Sequence, residues 1–350
     1  IGSKTDNYVQ GYFEYDSKKS GSLTVSHLRI SNHKIKKIYE ILEADFIACH
    51  NYSFLSRFNI LEKLKPNGKV LLNTVFKEEE LNNNLPNYFK QELLNKNAQL
   101  YIIDANKIAN EIGLKNKINI VMQSAFFKIA NILDYNVFLE ESKKYIQKTY
   151  GRKGEQVVNA NINALSGGSE VRLVDNSIFT VEAKNEDNLE TKADLLEDEG
   201  SKFNETIMKN ISKRKGNEIP VSAFSKDGFV PTNTSKFEKR GIAEFLPCWK
   251  SENCLQCGRC ALVCPHAAIR AYNIKDENLK NAPDNLKTLK TIGDKNNNYK
   301  IQVSPLDCTG CGVCANVCPA KNKALEMVRA GEILKTEEEN YKFLENVPTE

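Results

Sequence analysis

The chain is predicted to fold as an α/β doubly wound domain followed by a small α+β domain. Three observations predict this. Over residues 1–165, strand-like runs alternate with segments of helical period, the pattern of a parallel sheet covered by helices on both faces. From about residue 166 the composition turns polar and acidic, as in a connector. Near the C-terminal end a cysteine run recurs 54 positions after its first copy, each copy preceded by strand-like sequence. The expected organisation is 1–165 for the α/β domain, 166–240 for a connector and joining segment, and 241–350 for the cysteine-bearing domain with a C-terminal tail.

In order, Gly11–Tyr15 and Leu23–Ile30 read as a hairpin around the turn-like stretch Asp16–Gly21. Ile35, Ile38 and Leu42 recur at helical spacing, and Asp45–Cys49 reads as a buried strand. A helix with Phe54, Phe58 and Leu61 on one face follows, broken at Pro66-Asn-Gly68. Strand Lys69–Val75, helix Pro86–Leu94 and strand Gln99–Asp104 continue the alternation. Helices are then expected at 106–113, 119–133, 137–148 and 154–165. Ligands of such sheets bind beyond the carboxyl ends of the strands, where Cys49, Asn73 and Asp104 fall. Residues 182–199 hold eight Asp/Glu against two Lys and read as a solvated connector, with a basic helix over about 201–215. Strand-like Gly241–Leu246 and Tyr299–Val303 precede the cysteine runs, helices are expected at 265–271 and 319–327 after them, and 273–298 reads as a surface insertion.

At 350 residues, with 41% hydrophobic content, two or three globular domains are expected. Apolar runs fall far short of the ~20 residues a bilayer demands, and the polar N-terminus lacks a secretory core. A net charge of +4, spread along the chain, does not imply nucleic acid. A start at Ile1 without Met is expected of an incomplete or processed polypeptide.

The cysteine runs carry the most chemistry. Cys254, Cys257, Cys260 and Cys264-Pro265 form one, and Cys308, Cys311, Cys314 and Cys318-Pro319 the other. Both read C-x2-C-x2-C-x3-C-P, the bacterial-ferredoxin spacing for a pair of [4Fe-4S] clusters. A cubane needs one thiolate per iron, and three cysteines at intervals of three wrap it in one tight loop. Gly258, Thr309, Gly310 and Gly312 let backbone amides approach the sulfurs. The fourth cysteine of each run ligates the other cluster, carried there by a helix that the following proline would start. One set is therefore Cys254, Cys257, Cys260 and Cys318, and the other Cys308, Cys311, Cys314 and Cys264. Structural zinc would use separated C-x2-C pairs, and disulfides an oxidising compartment; thiolate clusters fit a reducing, cytoplasmic one.

Other residues weigh less. Cys49 and Cys248 read as small buried hydrophobes. His27, His33, His50 and His266 have no metal spacing. Neither G-x-G-x-x-G nor G-x-x-x-x-G-K-[ST] occurs, so nicotinamide and P-loop chemistry are unsupported. Lys18, Lys19 and Ser20 make a cationic loop that could meet phosphate oxygens or serve as a plain surface turn.

Several stretches carry a family resemblance. They are Thr5–Gly21 (TDNYVQGYFEYDSKKSG), Thr24–Arg29 (TVSHLR), Ile103–Ala105 (IDA), Val121–Ala130 (VMQSAFFKIA) and Tyr150–Glu155 (YGRKGE). Pro220–Phe224 (PVSAF), Glu238–Ala243 (EKRGIA) and both cysteine runs complete the set. Together they resemble pyruvate:ferredoxin (flavodoxin) oxidoreductase, spanning its gamma-type domain, joining segment and ferredoxin-like domain. The resemblance implies oxidative cleavage of pyruvate with coenzyme A to acetyl-CoA and CO2, thiamine diphosphate as carbanion stabiliser, and electron transfer through three [4Fe-4S] clusters. It places coenzyme A binding in the gamma-type domain, with Lys18, Lys19 and Ser20 as phosphate contacts and Arg29 and Asn119 as further candidates. It also implies a ferredoxin or flavodoxin acceptor and a homodimeric complete enzyme.

The departures from the family pattern concern what is missing. The thiamine-binding domains, their magnesium motif, the third cluster's ligands and a Gly-rich entry loop have no counterpart here. The expected function is thus a portion of the enzyme that relays electrons and helps dock coenzyme A. The alternative is an electron-transfer module without catalysis of its own.

Overall fold

A computed structural model of the chain describes residue 2 and residues 5–15, 21–115, 117–181 and 199–348. The chain divides into two compact units, for the most part at residue 187. Among the described residues no helix is long and apolar enough to cross a membrane.

The first unit opens with an antiparallel ribbon of β1 (Tyr8–Glu14) and β2 (Val25–Ser31). Its main sheet has the order β3-β4-β5-β6, from Ala44–Cys49, Leu64–Asn73, Gln99–Ile103 and Arg172–Leu173. The β3–β4 and β4–β5 pairs are parallel, and β6 adds an antiparallel edge. Period-two alternation sends Val70, Leu72, Leu100 and Ile102 to one face, against Leu81, Phe89 and Leu93 of helices α1 (Glu78–Asn84) and α2 (Asn87–Asn95). Leu71 and Ile103 face the other way, against α3 (Ala105–Glu111), α4 (Asn119–Ala130) and α6 (Glu155–Gly167). Helices on both faces of a parallel core make this the doubly wound arrangement expected.

Local chemistry sets the helix starts. Asp104 accepts from the Lys107 amide at 2.9 Å to cap α3, and Asp134 accepts from Asn136 and Val137 to cap α5 (Tyr135–Tyr150). Buried Asn73 ties three strand ends together. Its Oδ1 accepts from Ala105 N and its Nδ2 donates to His50 O, both at 2.9 Å.

Two helices expected here are absent. Residues 34–39 have no regular structure, and Ile38 is 94% exposed. The segment is instead held by Arg29, whose guanidinium donates to the carbonyls of Tyr39 and Glu40. The stretch with Phe54 forms only a short 3₁₀ turn, Tyr52–Ser56, fixed by the Asn51 side chain accepting from Ser53 N. The connector expected at 182–199 lies, but for Glu199, outside the described residues.

The second unit begins with α7 (Glu199–Phe203), a π-helical stretch over Asn204–Met208, and α8 (Lys209–Ser212). The joining stretch that follows exposes Val221, Phe224, Phe229 and Val230. Two antiparallel sheets then form: β7 (Phe245–Trp249) with β11 (Leu325–Arg329), and β8 (Ile269–Lys275), β10 (Asp294–Val303) and β9 (Leu289–Thr291) in the order β8-β10-β9. Short helices α9 (Arg259–Leu262) and α10 (Val313–Val317) lie within the cysteine runs. The final helix α11 (Ala330–Glu345), not foreseen in the tail, lays Leu344 against Tyr272 and Ile274 of β8.

The helices expected after Pro265 and Pro319 are strands. Tyr272 and Ile274 alternate into a core, and β8 finds its partner in β10 across a register running from Ile269↔Val303 to Lys275↔Asn297. The expected surface insertion is in part built structure, because Asn298 is buried and its Nδ2 donates to Asp276 at 2.5 Å.

Gly168 makes a close approach to α4. A Cβ there would lie 2.4 Å from Ser124 Cβ and 2.7 Å from Val121 O. Gly168→Ala is expected to destabilise the chain by about 1–3 kcal/mol, the cost of overpacking. An unchanged denaturation midpoint would show that α4 yields freely.

Candidate metal centre

Each cysteine run places its first two sulfurs on a loop, its third on a short helix and its fourth beyond that helix. The loops reverse through left-handed backbone at matching positions: Gln256 and Gly258 in the first run, Gly310 and Gly312 in the second, with φ of 52°, 67°, 70° and 72°. Left-handed turns direct successive amides inward, the geometry of an anion nest. Gln256 N points to Cys254 Sγ and Gly310 N to Cys308 Sγ, both at 3.4 Å. The fourth sulfurs are held likewise, Ala268 N to Cys264 Sγ and Ala324 N to Cys318 Sγ, both at 3.3 Å.

Gln256 can occupy a position that suits glycine because its side chain is anchored. It donates to Lys290 O at 2.8 Å and accepts from Ile292 N at 2.9 Å.

The eight sulfurs gather four and four about two cavities. One is walled by Cys254, Cys257, Cys260 and Cys318 with Trp249, Leu255, Tyr299, Ile301 and Leu325. The other is walled by Cys308, Cys311, Cys314 and Cys264 with Pro247, His266, Ile269, Val313 and Met327. In each, three cysteines come from one run and the fourth from the other.

Electrostatics favours a cation within these sets. Burial pushes the Cys260 and Cys308 thiols up to about 11 and Cys314 up to about 12, with neighbouring sulfurs adding to the rise. A metal that binds as thiolate ligands displaces the protons of thiols so raised. Trp249 and Tyr299 line the first cavity, and their buried donors, Nε1 and Oη, have no hydrogen-bond partner among the described residues. An indole N–H and a phenol O–H both donate, and the sulfides of a cluster are acceptors. The residues present therefore fit a pair of thiolate-bound clusters.

The remaining site residues are dispersed. Lys18, Lys19 and Ser20 lie outside the described residues. Arg29 sits on β2, where it also donates to Gln10 Oε1 at 2.9 Å, and Asn119 opens α4. Cys49 is buried at the end of β3, its thiol pushed up to about 12 by burial and donating to Asn51 O. Glu14, His27 and Glu40 bring three donor atoms within 4.8 Å. His27 Nδ1 accepts from Ile41 N, so the ring's proton is on Nε2, facing Glu14 Oε2 at 3.4 Å. A metal on Nε2 would have to displace that proton, and the trio reads as a hydrogen-bonded histidine.

Residues 1–171 match the family model described as pyruvate ferredoxin/flavodoxin oxidoreductase. Residues 190–243 match one described as a domain of unknown function, and residues 253–321 match a 4Fe-4S double cluster binding domain. Among curated relatives, pyruvate:ferredoxin oxidoreductase of Moorella thermoacetica is 47% identical over 99% of this chain and 30% of its own length. Pyruvate-flavodoxin oxidoreductase of Trichormus variabilis is 40% identical over 99% of this chain and 30% of its own. That of Enterobacter agglomerans is 41% identical over 93% and 28%. The chain thus carries an oxidoreductase domain followed by a double-cluster iron–sulfur domain. More particularly, it is similar to pyruvate:ferredoxin and pyruvate-flavodoxin oxidoreductases, and it spans about 30% of the length of these relatives.

The two glycines of the second loop make separable predictions. Both have positive φ, but a Cβ at Gly310 would lie 2.9 Å from Phe245 O, whereas Gly312 faces open space. Gly312→Ala is expected to cost only the left-handed penalty of about 1–2 kcal/mol, and Gly310→Ala more, with loss of iron from the second cavity. Equal iron content in the two variants would refute the close-approach argument.

Proposed function

We propose that the chain relays electrons through two [4Fe-4S] clusters during oxidative decarboxylation of pyruvate, and helps dock the coenzyme A that receives the acetyl group. The overall reaction is pyruvate plus coenzyme A to acetyl-CoA, CO2, one proton and two electrons. The carrying observation is the crossed gathering of eight cysteines, four about each cavity. When bound, each cluster supplies a site that takes up and releases one electron. This chain's part is to hold it with Cys254, Cys257, Cys260 and Cys318, or with Cys308, Cys311, Cys314 and Cys264. Backbone amides steady the sulfurs, and apolar side chains line much of each wall.

Crossed ligation links the two sites mechanically. Each short helix carries a third cysteine for one site, and the residue just past its end faces the other.

The relatives' names support pyruvate as substrate and a ferredoxin or flavodoxin as acceptor. Thiamine diphosphate, its magnesium and a third cluster belong to parts of the enzyme outside this chain, which pairs as a homodimer when complete. Coenzyme A docking falls to the N-terminal part of the chain, with Lys18, Lys19 and Ser20 as phosphate contacts and Arg29 and Asn119 as further candidates. The setting is cytoplasmic and reducing.

Ligation is tested on the reconstituted chain. Eight irons with matching acid-labile sulfide are expected, and Cys318→Ala should disturb the cluster of the first run. Stoichiometric zinc without sulfide would overturn the assignment, as would disturbance confined to the Cys308–Cys314 cluster.

Activity is tested by supplying the purified chain with pyruvate, coenzyme A, thiamine diphosphate, magnesium and a viologen dye. No pyruvate-dependent dye reduction is expected, because the group that stabilises the carbanion must be bound and oriented by protein. Dithionite should still reduce the chain, and ferredoxin or flavodoxin reoxidise it. Dye reduction by pyruvate with no other protein present would put the catalytic centre in this chain.

A further inference from the structure

The two cavities are alike in backbone and unlike in side chains. Each receives two amide hydrogen bonds at its sulfurs, 3.3 and 3.4 Å long. The asymmetry lies in the walls. The first carries the buried, unpartnered donors Trp249 Nε1 and Tyr299 Oη. Behind them stands a buried cation: Lys300 is 3% exposed, with Nζ 4.8 Å from the centre of the Trp249 ring. Tyr299 and Ile301 face the cavity, so strand alternation turns Lys300 to the other side of β10, where its register partner is Tyr272.

The second cavity has no comparable feature. Its walls are mainly Pro247, Ile269, Val313 and Met327; Thr309 and His266 are half-exposed, and His266 is engaged in an interaction of its own.

We propose that Trp249, Tyr299 and Lys300 form an electropositive wall that holds the cluster of Cys254, Cys257, Cys260 and Cys318 at a higher reduction potential than its neighbour. Hydrogen bonds to cluster sulfurs and low solvent exposure are established levers on such potentials. Reduction adds a negative charge, and each donor stabilises the reduced form more than the oxidised one. A cation over an indole face is attracted by the ring's quadrupole and polarises the N–H into a better donor. The acidic and basic groups facing Lys300 are Glu337 of α11, Cys248 of β7 and Lys287. Burial lowers the Lys300 ammonium from the ordinary lysine range, while Glu337 and Cys248 oppose that. Gln302 Nε2 donates to Glu337 Oε2 at 2.6 Å and anchors the carboxylate on α11. The end of this buried pair that meets the Trp249 ring is the positive one. The consequence is directional: an electron reaching the chain comes to rest on the cluster of the first run.

This inference rests on the cluster reading above. The test is an EPR-monitored redox titration of the full chain with both clusters in place, with Cys311→Ser used to assign the second cluster's signal. The first cluster is expected to reduce at the higher potential. Trp249→Phe and Tyr299→Phe each delete one donor while keeping an aromatic side chain, and Lys300→Met deletes the charge. At a fixed potential, Lys300→Met should lower the reduced-to-oxidised ratio of the first cluster about tenfold, a shift of about 59 mV. Each phenylalanine variant should lower it several-fold. The second cluster should stay in place in all three, and Lys300→Arg should restore the first.

Equal wild-type potentials, unmoved midpoints, or equal shifts at both clusters would overturn the proposal while leaving the clusters themselves established. If Lys300→Met fails to hold iron, the two phenylalanine variants decide the matter. Absence of both clusters from the wild-type chain would overturn the cluster reading and this proposal with it.

Discussion

Four clustered thiols cannot share a cavity as anions unless a cation sits among them. That constraint organises the second unit. It requires backbone amides at the sulfurs, left-handed residues to turn those amides inward, and strands on either side to keep the loops from opening. The matched φ values at Gln256 and Gly310, and at Gly258 and Gly312, show the same answer reached twice along one chain. The first unit depends on a more ordinary constraint, a sheet apolar on both faces and therefore covered on both. Its polar exception, Asn73, sits at the carboxyl edge and binds strand ends rather than core.

The cysteine grouping was legible in the sequence because ligand chemistry dictates spacing directly. The doubly wound sheet was legible for a similar reason, since runs such as Lys69–Val75 have to be buried and the helical stretches between them carry one apolar face. The segments after Pro265 and Pro319 were misread for a physical reason. Ala267-Ala268-Ile269 has good local helix propensity, yet β10 offers a long strand edge from far along the chain, and pairing prevails over propensity. Ile35, Ile38 and Leu42 had helical spacing but no surface to cover, and Arg29 took the backbone carbonyls instead. Lys300 could not be singled out beforehand, because a lysine beside Asn296, Asn297 and Asn298 looks solvated until β10 is seen to be buried from Asn297 to Val303. Its neighbours Tyr299 and Ile301 did offer a clue, as alternate residues of a strand leading into a cysteine run.

Internal duplication explains both the symmetry and the freedom to depart from it. What the sulfurs require has been kept in both halves. What surrounds the sulfurs has diverged, with aromatic and charged residues on one side and aliphatic ones on the other. The first half also has the extra hairpin of β9 and β10, which anchors the Gln256 side chain and so permits a non-glycine residue in a left-handed turn.

Trp249 is the one tryptophan in the sequence, and its ring walls the first cavity. Indole emission therefore reports from a single known place. A strongly absorbing, redox-active centre in van der Waals reach of that ring would quench it, whereas a chain lacking iron would fluoresce. Arrival and loss of the metal at one particular site of the two can thus be followed by light alone, in real time and without an added label.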